Sequence, residues 1–254
     1  KRELPIIGRI ALGSLRNKLL ILLPAQLLLD AFLPQAVTPL LSWQDQRTVA
    51  LRDKLASSEA MVRERSGLPL DPMFSALKLS WLLDEIDPDG SRASSGEWCM
   101  GKIDGYIDAR LGGEQGEAGH ASRTQLMNVH TGEWDDDLLK LFNIQRVALP
   151  KIVPSIGVFA DAGGLHPALK GVPVRSVMAD SHSALFAHGA YAPGQVKATM
   201  GTGSSVMGLT DGKQPPHPGM CLTIAWDRGD GQQQALEGNI RAAGSTLRWI
   251  SGVF

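Results

Sequence analysis

Residues Val177 to Gly208, VMADSHSALFAHGAYAPGQVKATMGTGSSVMG, limit the fold of this chain more than any other stretch. An apolar run ends on a single carboxylate, Asp180, and a small-residue helical pattern follows at once. Gly201-Thr202-Gly203 begins 21 positions later, between the runs Val196–Met200 and Ser205–Leu209, which read as a hairpin. A strand, an acid, a helix and a glycine-turned hairpin in that order belong to a mixed α/β architecture. The same order suits phosphoryl transfer. An aspartate can take the proton of an attacking alcohol, and a Gly-Thr-Gly turn can set backbone N–H groups and a hydroxyl against a phosphate. Alone, each half has a plainer reading: Asp180 as the cap of the helix SHSALFAHG, the tripeptide as an ordinary hairpin turn.

Composition narrows the alternatives. The 25 basic and 26 acidic residues balance to a net charge of −1, which leaves no basic field for nucleic acid. Cys99 and Cys221 are the only cysteines and form no CxxC, so neither a disulfide framework nor a zinc site is expected. They read as buried thiols of a reducing compartment. Residues 1–20 carry Lys1, Arg2, Arg9, Arg16 and Lys18 against Glu3, followed by LLILLPAQLLL from Leu19 to Leu29. Pro24 and Gln26 interrupt that run and Asp30 ends it short of a membrane span, so buried strands or a helix are expected rather than a targeting or membrane segment.

Along the chain, Pro39–Trp43 reads as a short buried strand, and Thr48 opens a helix with Val49, Leu51, Leu55 and Met61 at helical spacing. Phe74–Ile86 is an amphipathic helix ended by Asp87-Pro88, and Lys102–Leu111 is another, closed by Gly112-Gly113. Asp135 caps the helix DDLLKLFNI, and Asp135-Asp136-Asp137 forms a solvated helix start. Pro150, Pro154 and Gly163-Gly164 punctuate a loop-rich stretch, with a boundary near 165–172. Val172–Met178 is then a strand leading to Asp180, Leu222–Trp226 and Gln233–Leu236 form a second hairpin, and Ala242–Ile250 begins a helix. Of the polar residues, Trp43, Asp45 and Arg47 suit a surface salt bridge as well as a pocket. His182 and His188, six apart, miss one helical face and make no metal pair. His120, Arg123, Asn128 and His130 read as ties between loops.

Eight runs carry a resemblance: SWQDQRT (Ser42–Thr48), SGLPLDPMFSALKLSWLLDEI (Ser66–Ile86), GKIDGYIDARLGG (Gly101–Gly113), ASRTQLMNVHTGEWDDDLLKLFNI (Ala121–Ile144), LPKIVPS (Leu149–Ser155), ADSHSALFAHGAYAPGQVKATMGTGSSV (Ala179–Val206), LTIAW (Leu222–Trp226) and ALEGNIRAAGSTLRW (Ala235–Trp249). From about residue 40 to the end, in order and spacing, they resemble the FGGY carbohydrate kinases, and within them the glycerol-kinase pattern. The resemblance implies two ribonuclease H-like (actin-like) α/β domains with sugar and ATP in the cleft between them. On that likeness residues 1–40 are an atypical N-terminal segment and 41–170 the remainder of the sugar-binding domain. Residues 171–254 end that domain, with the catalytic acid, and start the nucleotide-binding one. Asp180 is then the catalytic base and lies near Mg²⁺; Gly201, Thr202 and Gly203 meet the ATP phosphates; Gly244 and Arg248 fall where the family contacts nucleotide. Trp43 matches a tryptophan that packs on substrate carbons, and Met73 and Ser181 stand in the acceptor pocket.

Departures from the pattern bear on the acceptor. Met73 replaces the tyrosine of glycerol kinases, Ser205 a nearby aromatic residue, and Ser181 the glutamine after the catalytic aspartate. A polyol or ketose of the glycerol or pentulose/heptulose class is expected, the three changes suggesting one different from glycerol, in a cytoplasmic homodimer or homotetramer without nucleic-acid or membrane partners. The family's Asp-x-Gly-Thr phosphate loop does not occur in residues 1–35, and the sequence stops at Phe254, before the later adenine site. The expectation is the middle half of a kinase, truncated or frame-disrupted and with little turnover alone. The alternative is an inactive remnant or sugar-binding module.

Overall fold

The structure, a computed structural model, describes residues 18–19, 36–201, 203–212, 217–240 and 242–253. The apolar run of 19–29 therefore lies outside the described residues apart from its first position, as does Thr202. Strand β1 (Lys18–Leu19) pairs in parallel with β2 (Trp98–Cys99). Between them stand α1 (Val49–Lys54), α2 (Glu59–Ser66), α3 (Ser75–Ile86) and α4 (Ser91–Ser94). The helix expected from Thr48 is thus two. The chain tightens into a 3-10 turn at Ala56–Ser58, where two serines favour local bonds over helix continuation. No strand forms at 39–43. Pro39 has no N–H to give, and a turn closes instead through Asp45 N–H to the Ser42 carbonyl at 3.1 Å.

Helix α3 buries Ala76, Leu77, Leu79, Leu82 and Leu83, and Asp87-Pro88 stops it. The Asp87 carboxylate then accepts the N–H groups of Arg92 and Ala93 at the start of α4. Next come α5 (Ile103–Arg110), β3 (Gln115–Glu117), the short α6 (Ala118–Ala121), the β4–β5 ribbon (Met127–Asn128 with Glu133–Trp134) and α7 (Asp136–Leu141). Asp135 caps α7 as expected, its Oδ1 3.0 Å from the N–H groups of Asp137 and Leu138. It is not solvated, however: its side chain is 5% exposed and ion-paired with Arg65 at 3.0 Å.

Strand β6 (Lys151–Val153) lies parallel to β3, and β7 (Ile156–Asp161) pairs antiparallel with β8 (Pro173–Ser176). The stretch read as loop-rich therefore holds β6 and β7, the second of them paired with the strand expected at Val172–Met178. Helix α8 (Asp180–Ala187) leads to a four-stranded antiparallel sheet of β9 (Val196–Met200), β10 (Ser204–Thr210), β11 (Cys221–Asp227) and β12 (Gln232–Ile240), ordered β11-β12-β10-β9. Helix α9 (Gly244–Ser251) follows.

Two buried clusters hold these elements. The larger joins Leu77, Trp98, Met100, Leu126, Leu138 and Phe142 to Ile224 of β11; the smaller gathers Leu185 of α8 with Met207, Leu209, Ala225, Trp226 and Ala235. Strand β11 is buried on both faces and serves both clusters. A register shift against β12 between Ile224 and Trp226 lets Ala225 and Trp226 both enter the second cluster, as a bulge would. Position 67 stitches the sheet to the helices. Gly67 ends α2 at φ +75°, and its carbonyl accepts the Leu222 N–H at 2.8 Å.

Candidate active site

Asp180 is delivered by β8 and the turn that follows it. Val177 N–H bonds the Ser155 carbonyl at 3.1 Å, Ala179 is buried, and the helix starts at Asp180 itself. Ala179, not Asp180, holds the cap position, so the capping role does not account for the carboxylate. Asp180 instead sits in the first helical turn with its side chain exposed, Oδ1 accepting the Ser181 N–H at 2.7 Å. A negative group there is favoured by the helix dipole and open to a reactant. Ser181, beside it, is half-buried.

Beneath Asp180 lies a polar cluster drawn from four parts of the chain. His182 is fully buried, with Nε2 3.1 Å from Thr223 Oγ1 on β11. His120 Nδ1 lies 3.1 Å from Asp104 Oδ1, but the two are not aligned for a hydrogen bond, and neither atom has a directed partner among the described residues. Glu117 caps α6 through its N–H groups at Gly119 and His120 and takes the Ser155 hydroxyl. Burial favours the neutral form throughout. It pushes the His120 ring down to about 2 and His182 well below the usual histidine range, and it raises the Asp104 and Glu117 carboxyls. Lys102, half-buried before α5, is pushed down by the same burial; Asp104 is the leading opposing charge, and Asp180 is among the others that act on it. A cavity of about 30 Å³, enough for one water, touches Lys102, Asp104 and His120.

Arg123 extends the polar region toward Met73. Its guanidinium meets the buried Glu237 of β12 at 2.5 Å and lies 5.6 Å from the Phe74 ring centroid. Phe74, Leu68 and Cys221 form the small cluster against which Met73 packs. Lys78 holds this loop from behind by donating to the carbonyls of Pro72 and Met73. Trp43 stands further out, 51% exposed, near the Asp45–Arg47 pair, whose guanidinium stacks over Trp81.

The glycine turn lies at the end of β9, the strand beside which α8 packs. Gly201 N–H bonds the Gly203 carbonyl at 2.9 Å, and the Gly201 carbonyl accepts the Gly244 N–H at 2.9 Å. The turn is thereby tied to the N-terminus of α9, which also carries the exposed Arg248. So Gly201, Gly203 and Gly244 come together, with Arg248 on the same helix. Asp180 and Ser181 stand on α8, packed beside β9, Met73 lies on the Arg123–Phe74 side, and Trp43 is exposed on the loop before α1. Among those residues no group of three His, Cys, Asp or Glu could hold a metal. Magnesium needs only one or two carboxylates when phosphates and waters complete its shell, and the exposed Asp180 fits that demand.

The cluster of Lys102, Asp104, His120 and His182 is what the sequence left unread. Its members lie up to 80 positions apart and no periodicity links them. The available signal was Lys102 and Asp104, two charges within a run otherwise fit for burial.

The pattern describing the FGGY family of carbohydrate kinases, N-terminal domain, matches residues 25–187. A family of unknown function, DUF808, matches residues 1–44. A glycerol kinase of Geobacter sp. (strain M21) is 44% identical over 214 residues, covering 82% of this chain and 43% of the relative. An apulose kinase of Pectobacterium atrosepticum is 40% identical over 221 residues, covering 84% and 44%. Among solved structures, Plasmodium falciparum glycerol kinase with ADP superposes with a TM-score of 0.76 at 27% identity, over 82% of this chain and 43% of that one. The chain thus spans less than half the length of the relatives it matches.

Proposed function

The chain belongs to the FGGY family of carbohydrate kinases, and on that premise we propose that it carries the acceptor site of an ATP-dependent kinase. The enzyme transfers the γ-phosphoryl group to a hydroxyl of a polyol or ketose. Asp180 is the base that takes the hydroxyl proton as the new O–P bond forms. Ser181, Met73 and Trp43 line the acceptor side. Gly201, Thr202 and Gly203, with Gly244 and Arg248 of α9, hold the nucleotide through backbone N–H groups and positive charge. Magnesium, when bound near Asp180, offsets charge on the phosphate oxygens. The same reading makes the protein a cytoplasmic homodimer or homotetramer, in keeping with two free cysteines whose thiols burial pushes up to about 12 and about 11.

One observation carries this reading: an exposed carboxylate opens a helix packed beside the strand whose glycine turn is bonded to the next helix start. The thioether at Met73 and the small hydroxyls at Ser181 and Ser205 favour a polyol or ketose other than glycerol. The intact gene product, given MgATP and a panel of C3 to C7 polyols and ketoses, should form ADP and a phosphate ester with at least one of them. Sugar binding indifferent to MgATP, with no acceptor-dependent ADP, would instead make it a binding module without catalysis.

A further inference from the structure

Among the described residues Asp180 has no side-chain hydrogen-bond partner; its carboxylate accepts only the adjoining Ser181 N–H. Its aim is therefore set by the backbone on either side. On the far side His182 is fully buried, and its Nε2 meets Oγ1 of the equally buried Thr223 at 3.1 Å. The ring is pressed from α6 as well, since a Cβ built on Gly119 would stand 3.0 Å from His182 Nδ1. On the near side the Met178 carbonyl faces the His120 ring and favours its charged form against burial, and Asp104 Oδ1 lies 3.1 Å from that ring. That carbonyl also accepts from Ser183 Oγ at 3.4 Å. The five residues 178–182, with Asp180 at their centre, are thus held on both sides.

His182 Nδ1 is buried without a partner among the described residues. As mere core filling this is a poor choice, because a leucine would occupy the space and leave no polar atom unsatisfied. A ring fixed at one end by a hydroxyl on the buried strand β11 does what a leucine cannot: it sets the rotation and depth of the helix start relative to that strand. We propose that His182 and Thr223 are a positioning pair that fixes the aim of Asp180, with His120 bracing the turn before it. The proposal rests on Asp180 acting as the base.

The test uses the intact gene product with its best acceptor. Thr223→Val removes the hydroxyl at nearly constant volume, Thr223→Ser keeps it, and Asp180→Asn reports on the base. A misaligned base should lower kcat on the order of 10–100-fold, with KM for acceptor and ATP within about twofold. Thr223→Ser should restore most of the turnover. Asp180→Asn inactive with Thr223→Val at full kcat, or with only KM raised, overturns the positioning pair alone. Turnover retained in Asp180→Asn overturns both the pair and the base. A measurement without substitution guards against misfolding: ¹⁵N spectra of the histidine rings in the unaltered protein. At a single pH of 8 the His182 ring should show one dominant tautomer with Nε2 hydrogen-bonded, as its 3.1 Å approach to Thr223 Oγ1 requires; a mixed-tautomer, freely exchanging ring is not gripped, which refutes the proposal.

Discussion

The Arg123–Glu237 pair fastens the segment after α6 to the sheet that carries the glycine turn, and its removal has a calculable cost. Glu237 has a side chain 3% exposed and Arg123 one 19% exposed, with 2.5 Å between Nη1 and Oε2. Arg123→Met keeps much of the stem packing against Phe74 but leaves a buried carboxylate without its partner. Breaking a buried pair from one side costs about 3–5 kcal/mol, while replacing both partners with apolar groups of similar volume is close to neutral. The double variant Arg123→Met/Glu237→Leu should therefore be more stable than Arg123→Met. The two substitutions should couple by about 3 kcal/mol or more in a double-mutant cycle. Lys197 tempers this figure. It lies on the same sheet face across β10, with Met207 between it and Glu237, although its ammonium is already bonded to Thr199 Oγ1 at 2.7 Å. Urea unfolding at pH 7, followed by tryptophan fluorescence, measures all four corners. Salt at 1 M should change the coupling little, since a buried pair is weakly screened. A cost below about 1 kcal/mol for Arg123→Met, or strict additivity, refutes the account of how the two parts are joined.

Two further outcomes follow from burial and backbone geometry. His120 and His182 are held neutral in the fold, with ring pKa values below that of the unfolded chain, so unfolding takes up protons below about pH 6.5. Their contribution is complete above that pH and is lost as pH falls, at up to about 1.4 kcal/mol per unit for each ring. Lys102 and Arg123 face both rings and push the same way, His182 acts likewise on His120, and Lys197 likewise on His182. Asp104 and Glu117, with raised carboxyl values, act in the opposite sense. Stability should therefore drop between pH 6.5 and 5 less steeply in His182→Gln than in the parent, and equal slopes would contradict burial of the neutral ring. Gly67→Ala places a Cβ 2.4 Å from the Leu222 carbonyl oxygen at φ +75°. It should cost about 2–5 kcal/mol from the left-handed backbone and the overlap together, read as a lowered urea midpoint; an unchanged midpoint would contradict the close approach.

The parts of the fold that were legible are those whose signals are local. The β9–β10 and β11–β12 hairpins, α3, α7 with its Asp135 cap, and α8 after Asp180 follow from alternation, helical spacing and turn residues within a dozen positions. The stretch Pro39–Trp43 was misread as a strand because an apolar pair after a proline imitates one, while the turn at Ser42–Asp45 is decided by hydrogen bonds that pattern does not show. Asp135 looked like one of three solvated acids; only the fold brings Arg65 to it. Strand β7 was hidden because Gly157 breaks its alternation without breaking its pairing with β8, the strand that was expected at Val172–Met178. In the site, Asp180 and the glycine turn were visible because each interrupts an apolar pattern. The ring of Lys102, Asp104, His120 and His182 was not, because it exists only where α5, α6, α8 and β11 converge.

Asp180→Asn in the intact gene product decides the central claim most directly. The substitution keeps size and the hydrogen bond to the Ser181 N–H while removing the group that accepts a proton. With MgATP and the preferred acceptor, the rate of phosphate-ester formation should fall by at least about 10²–10⁴-fold, the range expected for loss of a general base, while the urea midpoint stays with the parent. Phosphoryl transfer at the parental rate would contradict the assignment of Asp180 as the base.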